Sequence, residues 1–421
     1  MDLLLPAEAE PLPVPLEYRG RRRRKKAEFP DLVRTVDELL EIIFVSTGTI
    51  ESIEESQRLA YSLIHHCRLT PEVLMYLDRM YLRPFSNLKW KTDIRPLFLD
   101  SLDTRVYTDH RAIRPYLLCR SRLPIGIFEH ILSELDQSRR ILGDMSNLEN
   151  ESAKQNYMSP IPSTMLALFC GRLVNLPEKL LHGTIETSGR CEYTISLLGQ
   201  TMVLFIEYKE SLEGTHDKHS DIIAQVIGEA DAGDLYNELE EFGGLPIHAI
   251  LTDGKIFEFY IVNFADMGLY RGIGTAEKGI PFHEEHRIRL PPSERDPGYV
   301  PQLKIIVEVL FDIFLQSYVN GIYGRKSYSE RRARIQKMPQ GEGCVPRRST
   351  TVWDSTYLYG LQALNLLREA HELRSLDVKK AEDMAIQGIA TLEKSVKTIP
   401  SSADWSFLDN WESRKLSILR V

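Results

Sequence analysis

The stretch Glu192-Tyr193-Thr194-Ile195-Ser196-Leu197-Leu198-Gly199-Gln200-Thr201-Met202-Val203-Leu204-Phe205-Ile206-Glu207-Tyr208-Lys209 decides how this chain folds. Both halves are rich in β-branched, aromatic and aliphatic residues, and Gly199-Gln200 separates them, which is the composition of an antiparallel hairpin. Glycine first in a two-residue loop fits a type II′ turn. With Leu198 and Thr201 flanking that loop, the register sets Glu192 opposite Glu207, their Cβ atoms about 5 Å apart. Strand side chains alternate, so Lys209 shares the face of Glu207. Two facing acids repel unless a cation stands between them, and a divalent metal with oxygen ligands resolves the conflict.

Working outward, a helical pattern over 163–181 precedes the hairpin and a polar loop over 210–219 follows it. A helix then opens near Ser220-Asp221, either of which suits an amino-terminal cap, and carries Ile222, Ile223, Gln225, Val226 and Ile227. Two further β-rich runs, 246–251 and 256–262, flank Asp253-Gly254, a second hairpin signal. Helix, hairpin, helix, hairpin implies an α/β core over 163–322. Before it, Leu32, Val36, Leu39, Leu40 and Ile43 recur at helical spacing, predicting a helical domain over 29–143, and 144–162 reads as a linker rich in Asn, Ser and Pro. After it, 323–421 reads as a basic loop followed by helices that pack on the core, the last with Ala381, Ala385, Ile389, Leu392 and Val396 along one face.

The chain has 421 residues, of which 43% are hydrophobic and 27% charged, and a formal net charge of −8. An acidic balance gives no global affinity for nucleic acid, so such a contact has to come from local patches. One patch is Arg21-Arg22-Arg23-Arg24-Lys25-Lys26 in a proline-bearing tail over 1–28, read as disordered. It has the form of a nuclear import signal or of a phosphate-contacting arm, and equally of a solvated tail. Five widely spaced cysteines with no Cys-x-x-Cys pair suit a reducing, intracellular setting, nuclear or cytoplasmic. The apolar run 303–319 is interrupted by Lys304, Glu308 and Asp312, which predicts a buried amphipathic helix rather than a membrane span.

The residues Gly189-Arg190-Cys191-Glu192-Tyr193, then Phe205-Ile206-Glu207-Tyr208-Lys209, then Gln225 on the next helix resemble the PD-(D/E)XK nuclease superfamily. That resemblance implies a restriction-endonuclease-like mixed β-sheet flanked by helices and metal-dependent hydrolysis of phosphodiester bonds. Carried across, Glu192 stands at the first acid, Glu207 and Lys209 at the acid-x-Lys, and Gln225 at the helical glutamine. Where the family more often shows Pro-Asp, this chain has Cys191-Glu192. Such cores also occur in fungal and oomycete effectors of the Crinkler type and in mobile-element proteins. The implied cofactor is Mg²⁺ or Mn²⁺, held by Glu192, Glu207 and the backbone carbonyl of Tyr208, with Lys209 orienting or helping to deprotonate a water.

The expected substrate is DNA, with RNA second, and the segment Arg325, Lys326, Arg331, Arg332 and Arg334, interleaved with Tyr323 and Tyr328, is the expected phosphate contact. A solvated helix face accounts for the same basic residues, and a surface ion pair accounts for Glu207 and Lys209. The alternative functions are an inactive nuclease-like core that binds nucleic acid or protein, and a structural scaffold. His283 and His286 are spaced i and i+3, which fails the zinc-protease pattern, and His216 and His219 read as surface histidines.

Overall fold

The computed structural model describes residues 83–94, 113–177, 179–183, 187–213, 216–240, 242–264, 268–274, 287–291, 293–336 and 351–399. The chain divides into two compact units, Met1–Arg83 and Pro84–Val421, and the second holds every element described below. The basic tail, residues 29–82 and 95–112 of the helical region expected over 29–143, and His283 and His286 lie outside the described residues.

The strands are β1 (Arg114–Leu117), β2 (Leu173–Asn175), β3 (Lys179–His182), β4 (Thr187–Cys191), β5 (Tyr193–Leu197), β6 (Thr201–Tyr208), β7 (Ile247–Thr252), β8 (Ile256–Asn263), β9 (Gly268–Ile273) and β10 (Ile288–Arg289). The helices are α1 (Ile125–Leu142), α2 (Glu151–Met158), α3 (Pro160–Ala167), α4 (His216–Leu239), α5 (Tyr299–Gln336), α6 (Thr351–Leu373) and α7 (Val378–Lys397). Among the described residues an eight-stranded mixed sheet runs β1-β9-β8-β7-β6-β5-β2, with β10 beside β8. The parallel pair β6–β7 needs a crossover, and α4 supplies it. The fold is therefore α/β, a mixed sheet flanked by helices, as expected, but the helix expected over 163–181 stops at Ala167, and β2 and β3 take up its second half.

The hairpin forms by a different route from the expected one. Its loop is 198–200, with φ of 56° at Leu198 and 68° at Gly199 and the Gln200 N–H donating to the Leu197 carbonyl at 3.1 Å. Positive φ at both central positions is the sign pattern of a type I′ turn, not II′. Leu198 is drawn out of the strand because its N–H donates to the Arg172 carbonyl at 2.8 Å, at the approach to β2. That slips the pairing by one, so Leu197 faces Thr201. A bulge then slips it back: Ser196 pairs with Met202 but Ile195 with Leu204, leaving Val203 as the extra residue. Tyr193 consequently faces Ile206, and one more step sets Glu192 beside Glu207.

Each sheet face carries its own core. Under α4, Ile223, Val226, Ile227 and Ala230 meet Phe205, Ala249, Leu251 and Tyr260, and Leu88 fills the space over Gly228, where a larger residue would hold the helix away. Helix α4 begins at His216, a turn before the expected cap, because Asp221 is engaged elsewhere, accepting from the Trp90 N–H at 3.1 Å and from Lys89 Nζ at 2.8 Å. Under α5, Leu303, Val307, Phe311, Phe314 and Tyr318 meet Leu197, Val203, Leu204, Ile206 and Phe259. Each such side chain contributes about 1.5–3 kcal/mol. Helix α5 is long and apolar enough to cross a membrane, but 83% of its most apolar window is buried inside the protein.

The charges that interrupt α5 are paired. Glu308 accepts from Arg120 Nε at 3.0 Å and lies 3.3 Å from His371 Nδ1, while Asp312 accepts from Ser121 Oγ at 2.7 Å and from Arg368 at 2.7 and 2.8 Å. These bonds tie the strand-to-helix segment before α1 to α5 and α6. Two expectations change here. The stretch 144–162 holds α2 and the start of α3, stapled to the core by Tyr157, Met158 and Ile161, and is not a linker. The end of the 29–143 region does not stand apart: β1 pairs in parallel with β9, and α1 buries Phe128, Ile131 and Leu135 in the α5-side core. In α7, Ala381, Ala385, Leu392 and Val396 are buried along the predicted face.

Candidate functional site

At the far end of the hairpin from its turn, β5 and β6 bring Glu192, Glu207 and Lys209 together, and α4 adds two groups from above. Glu207 is 5% exposed. Its Oε1 accepts from Lys209 Nζ at 2.7 Å and from Gln225 Nε2 at 2.6 Å, while its Oε2 is buried without a partner. Glu192 sits at the bend between β4 and β5, with Oε2 accepting from the Tyr208 N–H at 2.7 Å. The sequence-derived set of Glu192, Glu207, Lys209 and Gln225 thus converges. Tyr208 takes part through its N–H, and its ring is buried against Tyr193 with centroids 6.1 Å apart.

Sequence reasoning does not single out Glu229, the second group from α4. It is fully buried, accepts from Gln225 Nε2 at 2.9 Å through Oε1, and leaves Oε2 without a partner. The one sequence signal is Gln225-x-x-x-Glu229, an i, i+4 pair that shares a helix face. Because Gln225 Nε2 donates to both Glu207 and Glu229, the amide is held with its nitrogen toward the acids. Cys191, fully buried behind the cluster, has its thiol pushed up by burial and then by the Glu229 and Glu207 charges.

Three carboxyl groups around one ammonium leave an excess of negative charge in a dry place. The Glu192 carboxyl is pushed up to about 8, first by burial and then by the Glu207 charge, with the Tyr208 N–H pulling the other way. Burial raises Glu207 against the pull of Lys209, and burial then the Glu207 charge raise Glu229 well above the carboxylate range. Burial opposes the charge on Lys209, but Glu207 outweighs it and the net shift is upward. Lys209 therefore stays cationic at neutral pH. A hard cation with oxygen ligands would offset the excess acid. Among the described residues no three His, Cys, Asp or Glu side chains stand grouped as a ready-made metal cage.

A second charged hub lies along the same sheet face, since Glu207 pairs with Leu251 and Leu251 with Glu258. Glu258 accepts from Arg287 Nε at 2.6 Å and from the Tyr260 hydroxyl, and lies 3.2 Å from His219 Nε2. Burial alone would raise its carboxyl, but His219, Arg271 and Arg287 bring it down to about 2. His219, expected at the surface, is a buried partner of this hub, its side chain 10% exposed. The side chain of His216 lies outside the described residues.

The basic segment sits elsewhere. Arg325 is buried, its guanidinium donating to Gln200 Oε1 at 2.7 Å and lying 4.0 Å from the Phe242 ring centroid, with burial lowering it to about 10. Lys326 pairs with Asp354 at 2.7 Å, and Arg331 is exposed. Arg332 and Arg334 lie on α5 with side chains outside the described residues. Gln200 is at the hairpin tip, and seven residue steps along β6 separate it from Glu207, about 23 Å. The acids and Arg325 therefore occupy opposite ends of β6.

No family model matches this chain, and no curated protein matches it. Among solved structures it is similar to a chain of the cryo-EM structure of the DrdV–DNA complex, with 10% sequence identity and a TM-score of 0.24 over 66% of this chain. The match spans 27% of that chain.

Proposed function

We propose that this protein is a metal-dependent nuclease of the PD-(D/E)XK type that hydrolyses phosphodiester bonds of DNA, with RNA as the second candidate. The observation that carries the proposal is the convergence of Glu192, Glu207, Lys209 and Gln225 from two strands and a helix, with Glu207 Oε2 left unsatisfied. Mg²⁺ or Mn²⁺ fits this donor set, because Mg²⁺ binds through one or two carboxylates and keeps several waters, and needs no three-acid cage. Glu192 and Glu207 would hold it, together with the Tyr208 carbonyl. When bound, it lowers the pKa of a water and neutralises charge on the phosphate.

The chain's own groups do the rest. Lys209, fixed by Glu207 and fully charged, donates to a phosphate oxygen and stabilises charge that grows there; its raised affinity for the proton suits a donor rather than a base. Gln225, clamped between Glu207 and Glu229, keeps the Glu207 carboxylate in one orientation. The decisive experiment is plasmid nicking by purified protein in Mg²⁺ or Mn²⁺. Nicking that disappears in Lys209→Ala, with the fold retained, supports the proposal. Tight DNA binding with no cleavage in either metal would favour the inactive binding module.

A further inference from the structure

Outside the acid cluster, a cavity of about 70 Å³ opens at the same end of the sheet, lined by Asp144, Ser146, Lys255, Ser293, Arg295 and Tyr299 among others. Its position relative to the acids is set by backbone. Tyr208 pairs with Thr252, and the Lys209 N–H donates to the Thr252 carbonyl at 2.8 Å. The turn through Asp253 and Gly254 then delivers Lys255 to the cavity. Asp253 fixes this turn by accepting from the N–H groups of Lys255 and Ile256 at 3.0 and 2.8 Å and of Leu212 at 3.0 Å. Gly254, at φ 86°, lies against Met145, and the Lys255 carbonyl accepts from the Leu290 N–H at 2.8 Å. One strand spacing and three residues of chain put Lys255 within about 15 Å of Lys209.

The polar groups in the cavity are unequally committed. Both acids are engaged: Glu294 accepts from the Tyr157 hydroxyl and lies 3.5 Å from Arg139 Nε, and Asp144 lies 3.5 Å from the same guanidinium nitrogen. Among the described residues the ammonium of half-buried Lys255 and the guanidinium of exposed Arg295 have no such partner. Ser293 Oγ accepts from the Arg295 N–H at 3.2 Å, so its own proton is still to be donated. Tyr299 opens the 38-residue helix α5 on the same wall, its N–H donating to the Asp296 carbonyl at 2.9 Å. Two uncommitted cations and a hydroxyl donor in a cavity of this size make a receptor for a tetrahedral oxyanion.

We infer that this cavity is a phosphate subsite, which grips a backbone phosphate of a polynucleotide a few nucleotides away from the bond presented to Lys209. The choice of a polynucleotide rests on the proposed nuclease activity; the oxyanion chemistry of the cavity is independent of it. The test is binding of a fluorescent DNA duplex by anisotropy in EDTA across a salt series, with wild-type protein, Lys255→Ala/Arg295→Ala and Lys255→Arg. Two lost phosphate contacts make the slope of log K against log salt shallower by about 1.8, so that over a fourfold rise in salt the wild type loses about tenfold more affinity than the double variant. Lys255→Arg keeps the wild-type slope, and matched melting curves establish that all variants fold. A double variant with wild-type affinity and slope overturns the subsite. So does a wild-type protein that binds no duplex, or one whose bound duplex is displaced equally well by equimolar inorganic phosphate. Nicking by the wild type with an unchanged slope sinks the subsite alone, and a changed slope without nicking sinks the hydrolytic activity alone.

Discussion

Replacing Glu192 with Gln probes the acid cluster without any substrate. The carboxyl moves from 4.5 to about 8 on folding. At 1.36 kcal/mol per factor of ten that corresponds to about 4.8 kcal/mol. Glu192 is partly exposed, and screening by water takes roughly half, leaving about 2 kcal/mol. Between pH 4.5 and 8 the folded chain holds this proton and the unfolded chain does not. Stability is then complete below pH 4.5 and is lost as pH rises toward 8. Glu192→Gln carries no such proton, and its amide oxygen still accepts from the Tyr208 N–H. Urea unfolding in EDTA at half-unit steps from pH 4.5 to 8.5 should show the variant close to wild type at pH 4.5. By pH 8 it should be more stable by about 2 kcal/mol. A difference that does not change with pH, or a wild type that gains on the variant as pH rises, would refute the claim that Glu192 is desolvated against Glu207.

Glu308→Ala removes the buried anion shared by Arg120 and His371 and should cost about 3–5 kcal/mol in chemical denaturation, whereas Arg120→Met/Glu308→Leu together should recover most of it. Glu258→Gln strips Arg287 and His219 of their anion; the wild-type group, held near 2, contributes stability above pH 4.5 that is lost as pH falls toward 2, so acid titration should find a variant with a weaker low-pH transition. Glu229→Gln keeps the hydrogen bond to Gln225 and removes a buried acid. It should leave the melting temperature in EDTA unchanged or higher while reducing the rise on adding Mg²⁺, measured by thermal shift. Arg325→Ala should lower stability by about 1–2 kcal/mol through the lost contacts to Phe242 and Gln200, with no change in plasmid nicking, since its place is at the other end of β6.

The composition and periodicity of the chain sufficed for the two hairpins and the helix between them, for the pairing of Glu192 with Glu207, and for the face shared by Glu207 and Lys209, because side-chain alternation and helix periodicity are local properties; they did not suffice for 163–181, where β2 and β3 replace the expected helix beyond Ala167. The pairing emerged although the turn is not of the expected type: a left-handed Leu198 shifted the register, and the bulge at Val203 restored it. No local pattern marks that compensation, since it depends on a hydrogen bond from Leu198 to distant Arg172. Gln225 was legible from its place on the following helix; Glu229, one turn further, became a site residue only when α4 was laid over β6. The partition of charged residues was also beyond sequence. Arg325 and Lys209 look alike in a string of letters, yet one is bound to the hairpin tip and the other to the acids. His219, Glu258, Glu308 and Asp312 are ordinary polar residues until packing removes water and obliges each to find a partner. Local chemistry determined which segments became strands and helices and which acid met which; long-range packing decided what was desolvated, and with it which groups hold their protons.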